Sequence, residues 1–301
     1  MEKVVIFGAQ GFLGSYLVKS TSNYFEVYAT NRARNTSAFE IGNKKSELNQ
    51  FKFYSNEKSV LNVLSKIEPS IIFNVAAIAN IEKCALNPKL AYKTNANLPE
   101  WLSKYTSSNY SKLVHFSTDS VFGQPGSLFT ESEKPEPIST YGKSKLEGEL
   151  KVMEYDKNAL IIRTNFFGWS QRKLSLFNYF YNGIKYNNQV NGYINSYFTP
   201  IYIEELIRVT LLLIKKNSSG LFHVTGNSRV TKFEFGQKIA SALKVDKNII
   251  KPSLLRNSGS ATFRNYDISL NNSKVTQHIG VISEYNLGIE NLVDQIEGKK
   301  F

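Results

Sequence analysis

Apolar runs alternate with amphipathic segments along most of the chain, which is the pattern of an α/β protein. The run 4–7 is short and β-rich, and the run 70–77 (SIIFNVAA) is almost continuously apolar. Such a continuous run indicates a parallel strand that is buried on both faces. The pattern predicts further strands, separated by helices, at 26–30, 51–55, 112–117, 159–164 and 221–225.

This order of elements predicts a Rossmann-type, doubly wound parallel sheet with a smaller α/β substrate-binding lobe. We assign to a dinucleotide-binding domain residues 1–165 and 201–226, and to the substrate-binding lobe residues 166–200 and 227–301. Thr231 and Glu234 have the spacing of a capping box, so a helix is expected to begin there.

A glycine-rich turn follows the first predicted strand directly. In the stretch GAQGFLG, glycines stand at 8, 11 and 14, ahead of an amphipathic segment. Glycine lets the backbone approach a pyrophosphate closely, and the N-terminus of the following helix meets its charge. The spacing is GxxGxxG rather than GxGxxG, so an ordinary turn is the alternative, but the position between strand and helix favours dinucleotide binding.

The residues after the second predicted strand bear on the choice of dinucleotide. An NAD-selective site places an acidic residue here to bind the ribose hydroxyls, whereas this chain has Asn31, Arg32, Ala33 and Arg34. Arginine favours a 2′-phosphate, so we predict NADP, as NADPH, over NAD, with Arg32 as its contact. A solvated loop arginine is the alternative.

The stretch ISTYGKSKLE carries Tyr141 and Lys145 four residues apart, which places both on one face of a helix. Leu146, Leu150 and Met153 recur at helical spacing and predict the buried side of the same helix. A phenol is a poor proton carrier at neutral pH, but a fixed ammonium nearby favours the phenolate and suits the tyrosine to general acid or base catalysis. A chance pair on an exposed helix is the alternative.

Composition and charge narrow the classes of function. The 301 residues carry a formal net charge of +12, but the lysines are dispersed, so we predict no nucleic-acid partner. The single cysteine, Cys84, excludes an internal disulfide, and three scattered histidines predict no metal site. Cys84 and His115 are predicted to be packed core residues.

No apolar stretch approaches about 18 residues and the chain begins in a strand pattern, so we expect a cytoplasmic protein without a membrane partner.

With GAQGFLG, NVAA, STD and YGKSK in this order, the chain resembles the extended short-chain dehydrogenase/reductases. Within them it looks most like the dTDP-4-dehydrorhamnose reductases and related nucleotide-sugar reductases. The resemblance runs almost end to end and includes STDSVFG, IIRTNFFG, FTPIYIEEL and RNYDISLNNSK. It implies an oxidoreductase of deoxysugar and polysaccharide biosynthesis that uses NADPH to reduce the 4-keto carbon of a nucleotide sugar. The residues do not decide between a monomer and a homodimer.

The resemblance also implies roles for individual residues. Tyr141 supplies the proton, and Lys145 holds the nicotinamide ribose and biases the phenol of Tyr141 toward ionisation. Thr118 orients the carbonyl, and Asn95 helps to position Lys145. The implied cofactor contacts are Gly8, Gly11, Phe12, Leu13, Gly14, Arg32, Asn74, Ala76, Tyr141 and Lys145. The implied substrate contacts are Asp119, Ser120, Asn165 and Arg264.

Two departures from the family pattern leave the substrate open. The family tyrosine after the TD pair is Ser120 here, and the family arginine-proline pair is Arg264-Asn265. Ser120 also disfavours a 4,6-dehydratase, which needs an acid at that position. An NAD-dependent 4-epimerase with the same triad and a non-catalytic, NADP-binding regulatory subunit stay as alternatives.

Overall fold

The computed structural model describes residues 1–31, 49–52, 56–171, 175–257 and 263–298. The strands of this part are β1 (Lys3–Phe7), β2 (Glu26–Asn31), β3 (Asn49–Lys52), β4 (Ile71–Asn74), β5 (Lys112–Phe116), β6 (Leu160–Arg163), β7 (Phe166–Phe167), β8 (Val190–Tyr193), β9 (Tyr197–Phe198), β10 (Ile201–Tyr202), β11 (Gly220–His223), β12 (Val230–Thr231) and β13 (Ile250–Ser253).

The α-helices of this part are α1 (Phe12–Thr21), α2 (Glu57–Ile67), α3 (Ile81–Leu86), α4 (Pro88–Tyr92), α5 (Leu98–Asn109), α6 (Thr140–Tyr155), α7 (Leu176–Lys185), α8 (Ile203–Lys215), α9 (Lys232–Ala242), α10 (Ser273–Ile279) and α11 (Tyr285–Ile296). A π-helical turn, Lys93–Asn97, links α4 to α5, and two 3₁₀ turns cover Asp119–Val121 and Lys247–Ile249. None of these helices combines the length and the apolar composition needed to cross a bilayer.

Within the described residues, the main sheet has seven strands in the order β11-β6-β5-β4-β1-β2-β3. Every pair from β3 through β6 is parallel. From β1 the chain first adds β2 and β3 on one side and then crosses over to add β4, β5 and β6 on the other. Open α/β sheets bind ligands where the strand order reverses in this way. The predicted doubly wound parallel sheet is confirmed.

Apolar packing fixes the strands whose ends carry the candidate residues. β4 is buried along its whole length, and β1 and β5 are buried except at their first residue. Leu64 of α2 and Leu102 of α5 pack with Val5 of β1 and Leu113 of β5 in one buried cluster. Helices on a parallel sheet cover its faces in this way, so the polar chemistry is left to the strand ends.

The chain divides into two compact units. The first consists of Met1–Ser117, Thr140–Ile162 and Asn217–Leu221. The second consists of Thr118–Ser139, Arg163–Lys216 and Phe222–Phe301. The boundaries of these two units differ from those of the two lobes expected from the sequence. The binding roles assigned to those lobes stay a prediction.

Short strand pairs characterise the second unit. β7 pairs with β10 and β8 with β13 in parallel, whereas β9 and β12 are antiparallel. α9 begins with the predicted capping box, in which the N–H of Glu234 donates to Thr231 Oγ1 at 3.0 Å and the N–H of Thr231 donates to Glu234 Oε2 at 2.7 Å. The predicted helix start is confirmed.

The buried face of α6 is not the one that its leucine spacing predicts. Leu150 is 51% exposed, and Leu146 and Met153 are only half-buried. The buried residues of α6 are mostly small or polar, namely Gly142, Ser144, Lys145, Gly148, Glu149 and Val152. A Cβ on Gly148 would lie only 2.2 Å from the carbonyl oxygen of Asn95, so the π-helical turn comes too close for large side chains. The leucine stripe was a wrong prediction because close backbone packing selects small residues.

The predicted third strand differs in its position. The sequence pattern indicates residues 51–55, whereas β3 covers Asn49–Lys52 and pairs with β2 from Tyr28 onward. Residues 53–55 lie outside the described residues. β4 ends at Asn74, three residues before the expected bound of 77, and the other predicted strands of the main sheet are found within two residues of their expected bounds.

Candidate active site

Lys145 lies on the buried face of α6, one helical turn after Tyr141. Its Nζ donates a hydrogen bond of 2.7 Å to the carbonyl oxygen of Phe116, the last residue of β5. The side chain is 2% exposed, and burial lowers the pKa of Lys145 to about 8, while the carboxylate of Glu149 acts in the opposite direction. A lysine with this pKa is mostly protonated at pH 7, so the structure holds an ammonium group beside the end of β5.

Tyr141 is the second residue of α6 and is partly exposed. The spacing predicted from the sequence therefore produces a partly exposed phenol one turn from a buried ammonium. A phenol that is accessible to a substrate and lies near a fixed cation can deliver a proton. The placement of the pair on one helix is confirmed, and its catalytic role stays a prediction.

Asn95 joins α6 to the segment after β4. It lies in the π-helical turn and is fully buried. Its Nδ2 donates to Ser144 Oγ at 3.0 Å and to the carbonyl oxygen of Ile78 at 3.1 Å, and its Oδ1 accepts from the N–H of Ile78 at 2.9 Å. Ser144 directly precedes Lys145, so Asn95 holds the helix turn that carries the lysine. π-helical turns are often found at functional sites.

The glycine turn packs against neighbouring backbone too closely to hold a side chain at Gly8 or Gly14. Gly8 has φ +87°, and a Cβ there would lie 2.7 Å from the backbone of Ala76. A Cβ on Gly14 would lie 2.2 Å from the carbonyl oxygen of Gly8. Gly11 is the N-cap of α1 and provides no side-chain cap for the first helical N–H groups. The turn thus requires glycine at two positions and has no side-chain cap at its helix start, and a helix N-terminus of this kind suits a pyrophosphate group.

Other predicted cofactor contacts lie around this turn. Phe12 is the first residue of α1 and packs edge-on against Tyr16, with ring centroids 6.0 Å apart, while Leu13 is buried. Ala76, which backs Gly8, is also buried. Arg32, the predicted contact for a 2′-phosphate, lies outside the described residues.

Asn74 is fully buried at the end of β4, and its side chain is engaged by a neighbouring strand. Its Nδ2 lies 3.1 Å from Nδ1 of His115. Burial and the nearby Lys145 place the pKa of His115 well below its usual value, so the ring is neutral. The predictions that His115 and Cys84 are packed core residues are confirmed, since both are fully buried.

The second unit holds four other predicted residues in one polar cluster. Asp119 accepts hydrogen bonds from Thr118 Oγ1 at 3.1 Å, from Ser120 Oγ at 3.2 Å and from Asn165 Nδ2. Burial raises the pKa of Asp119 to about 6, although these three donors act in the opposite direction. The structure therefore brings Thr118, Asp119, Ser120 and Asn165 together around one carboxyl group.

Arg264, also in the second unit, is exposed, and its backbone is fixed by Asn257 through hydrogen bonds of 2.8 and 3.0 Å. Asn265 replaces the family proline and donates to the carbonyl oxygens of Gln124 at 3.0 Å and Phe122 at 3.4 Å. A proline at this position could make neither hydrogen bond, because it has no side-chain donor.

Sequence reasoning missed three residues of these clusters. Ser117 Oγ donates to a carboxylate oxygen of Glu149, and both side chains are buried. Lys232, at the start of α9, has a lowered pKa, chiefly because of burial; Arg264 adds to this effect and Asp119 opposes it. The sequence could have indicated Glu149, because it follows Lys145 by four residues, the same spacing that separates Tyr141 from Lys145. Nothing in the local sequence marks Lys232.

Curated proteins that are similar to this chain include reductases and a subunit of methionine adenosyltransferase. The chain is 27% identical over 253 residues to a probable low-salt glycan biosynthesis reductase, Agl14, of Haloferax volcanii, with 82% of each chain covered. It is 25% identical over 310 residues to a dTDP-4-dehydrorhamnose reductase of Aggregatibacter actinomycetemcomitans, covering 97% of this chain and 98% of that protein. It is 25% identical over 299 residues to methionine adenosyltransferase 2 subunit beta of Xenopus laevis, covering 96% and 86%.

Solved structures show the same fold. A hypothetical dTDP-4-dehydrorhamnose reductase from Sulfolobus tokodaii is 28% identical, with a TM-score of 0.79 and coverage of 92% of this chain and 94% of that chain. A dTDP-4-dehydrorhamnose reductase from Bacillus anthracis, solved in complex with NADP, is 24% identical, with a TM-score of 0.82 and coverage of 98% and 99%. The family model described as the RmlD substrate binding domain matches residues 1–297, almost the whole chain. The chain therefore belongs to the RmlD substrate-binding domain family.

Proposed function

We propose that the protein is an NADPH-dependent oxidoreductase that reduces the 4-keto group of a nucleotide-linked 6-deoxy sugar. The observation that carries this proposal is the buried Lys145, held at the end of β5 and one helical turn from the partly exposed Tyr141. Two of the curated relatives described above are named as reductases of glycan or deoxysugar biosynthesis, which supports the same reaction. A role in the biosynthesis of dTDP-rhamnose or a related polysaccharide precursor, in the cytoplasm, is part of the proposal.

The residues of the first unit suit a nicotinamide dinucleotide. Gly8, Gly11 and Gly14 would hold its pyrophosphate, since each lies where the backbone must approach closely or where helix N–H groups are available. Arg32 would meet a 2′-phosphate, and the NADP in the Bacillus anthracis structure agrees with that choice. When bound, the reduced nicotinamide supplies the hydride for the reduction.

The chain itself supplies the proton and the binding contacts. Tyr141 donates a proton to the oxygen of the reduced carbonyl group. Lys145 binds the ribose next to the nicotinamide and stabilises the tyrosinate that remains, because its ammonium group lies one turn away. The hydroxyl of Thr118, which donates to Asp119 at 3.1 Å in this structure, would turn to donate to the substrate carbonyl. Asn95 keeps the turn that carries Lys145 in place.

Asp119, Ser120, Asn165 and Arg264 are proposed to contact the substrate. The first three form one hydrogen-bonded cluster in the second unit, which can present several polar groups to a sugar. Arg264 is proposed to bind the diphosphate by charge-assisted hydrogen bonds.

The test is reduction of 4-keto sugars linked to dTDP, UDP and GDP, with NADPH consumption followed at about 340 nm. Tyr141→Phe should lower turnover by about two to four orders of magnitude and leave NADPH binding unchanged, because it removes only the proton donor. Tyr155→Phe is the matched control on the same helix. Lys104 Nζ lies 4.8 Å from the centroid of the Tyr155 ring, and this cation–π contact does not depend on the hydroxyl group.

The same assay separates the alternatives. A 4-epimerase would interconvert sugars without net consumption of NADPH. A regulatory subunit, favoured by the match to methionine adenosyltransferase 2 subunit beta, would bind NADPH and reduce nothing. Unchanged turnover in Tyr141→Phe would overturn the proposed mechanism.

A further inference from the structure

Glu149 occupies the same face of α6 as the proposed catalytic pair. It follows Lys145 by four residues and Tyr141 by eight, so the three side chains lie one above the other along the helix. Glu149 is 0% exposed. A glutamate is almost never fully buried unless it has a partner, because burial of an unpaired charge is costly. Its position therefore calls for an explanation beyond packing.

The end of β5 holds both the lysine and the glutamate. The carbonyl oxygen of Phe116 accepts from Lys145 Nζ at 2.7 Å, and the next residue, Ser117, donates its hydroxyl to a carboxylate oxygen of Glu149. The N–H of Ser117 in turn donates to the carbonyl oxygen of Ile162 in β6 at 2.6 Å. The strand end is thus fixed in the sheet, and it fixes the two side chains of α6 in turn.

The charge of Lys145 depends on what surrounds it. Burial favours the neutral amine, and the carboxylate of Glu149 raises the pKa of Lys145 against that effect. From β5, His115 is neutral and adds no negative charge. From the π-helical turn, the amide of Asn95 reaches α6 at Ser144 and carries no charge. The thiol of Cys84 in α3 donates to the carbonyl oxygen of Ile78, and burial raises its pKa, so it adds no negative charge either. Among the described residues, Glu149 is the acid that acts on the ammonium group.

We propose that Glu149 is a positioning residue that keeps Lys145 protonated and fixed for the reduction, with Ser117 holding the carboxylate in place. This inference rests on the proposed function, because it assigns to Glu149 a task in the same site. Glu149 does not contact the sugar or the nicotinamide in this role. It acts through Lys145.

The sign of the expected pH dependence follows from the charges. The lysine is active as the ammonium, so activity should decline as the pH rises through the pKa of Lys145, at about 8. Removal of the carboxylate would lower that pKa, and the decline should move to lower pH by about one unit or more. Activity lost at pH 8 should return at lower pH.

The experiment is a pH titration of Glu149→Gln in the full-length protein. Glutamine can still accept the hydrogen bond from Ser117 and has nearly the same volume, so the variant removes the charge and keeps the packing. Glu154→Gln is the matched control, because Glu154 is an exposed acid of α6, 3.9 Å from Lys151. The pKa of Lys145 is measured directly by NMR of ¹³C-labelled lysine side chains, with Lys145→Met to assign the signal.

A lower pKa of Lys145 in Glu149→Gln, unchanged in Glu154→Gln, supports the proposal, as does an alkaline limb of kcat/KM that moves by the same amount. A pKa of Lys145 that does not move overturns it, whether or not turnover falls. A folded Glu149→Asp variant retains the charge, so its Lys145 pKa should lie between the values of the parent protein and of Glu149→Gln. The NMR measurement needs no substrate, so it tests the effect of Glu149 on Lys145 even if the protein reduces no sugar. A protein that reduces no sugar would overturn the proposed function and leave this test unaffected.

Discussion

Gly148→Ala tests whether the close approach of α6 to the π-helical turn is a requirement of the fold. Alanine is the better helix former, and helix propensity alone predicts a gain of about 1 kcal/mol. The structure predicts the opposite sign. The added Cβ would lie 2.2 Å from the carbonyl oxygen of Asn95 and 3.3 Å from Pro99 Cγ. The first contact is with backbone, so the helix and the turn must move apart by about 1 Å.

The magnitude follows from two costs and one gain. Overpacking of this kind costs about 1–3 kcal/mol, and separation would also weaken the buried hydrogen bond of 3.0 Å from Asn95 Nδ2 to Ser144 Oγ, worth about 1 kcal/mol. After the gain from helix propensity, we expect Gly148→Ala to lower the free energy of unfolding by about 1–3 kcal/mol. NADPH binding should weaken as well, since Lys145 is on the same turn of helix.

The assay is urea denaturation followed by circular dichroism, with midpoints compared at equal slope. The control is Leu150→Ala, two residues further along α6, where the side chain is 51% exposed and the change should stay within about 0.5 kcal/mol. A Gly148→Ala protein that is as stable as the parent, or more stable, would refute the reasoning, because helix propensity would then outweigh the contact with Asn95.

Two further predictions concern the binding of the proposed ligands. Arg32→Asp should weaken NADPH binding and leave NADH binding almost unchanged, with Arg34→Asp as the comparison and fluorescence titration as the measurement; equal affinity of the unmodified protein for both cofactors would contradict it. Arg264→Ala should raise the KM for the sugar nucleotide by about tenfold or more and spare that for NADPH, because it removes a charge-assisted contact to the diphosphate. Arg256→Ala is its exposed control, and an unchanged KM for the sugar would assign Arg264 a structural role.

The local features of this protein were readable from the sequence because local interactions produce them. The apolar run at β4 indicated a buried parallel strand, the glycines of 8–14 indicated a turn between strand and helix, and the spacing of Thr231 and Glu234 indicated a helix start. The same holds for Tyr141 and Lys145, whose four-residue spacing on a helix determines their relation. Each of these features depends on residues that are close in the chain.

The short strands of the second unit were beyond that reasoning. β7, β9, β10 and β12 are each two residues long, and each pairs with a strand that is distant in the chain. Two residues carry no hydrophobic period, so no pattern could mark them.

The surroundings of the candidate catalytic lysine were decided by tertiary structure. The leucines of α6 indicated one buried face, but the approach of the Asn95 backbone selected another, on which Gly148 and Glu149 lie. The carbonyl group that binds Lys145 is 29 residues away in the chain, and the amide that holds Ser144 is 49 residues away. A helical period shows which residues share a face, but it carries no information about which face meets a neighbour. The sequence by itself therefore determined that a tyrosine and a lysine stand one turn apart, and only the folded chain decided that the lysine is buried and hydrogen-bonded to the end of β5.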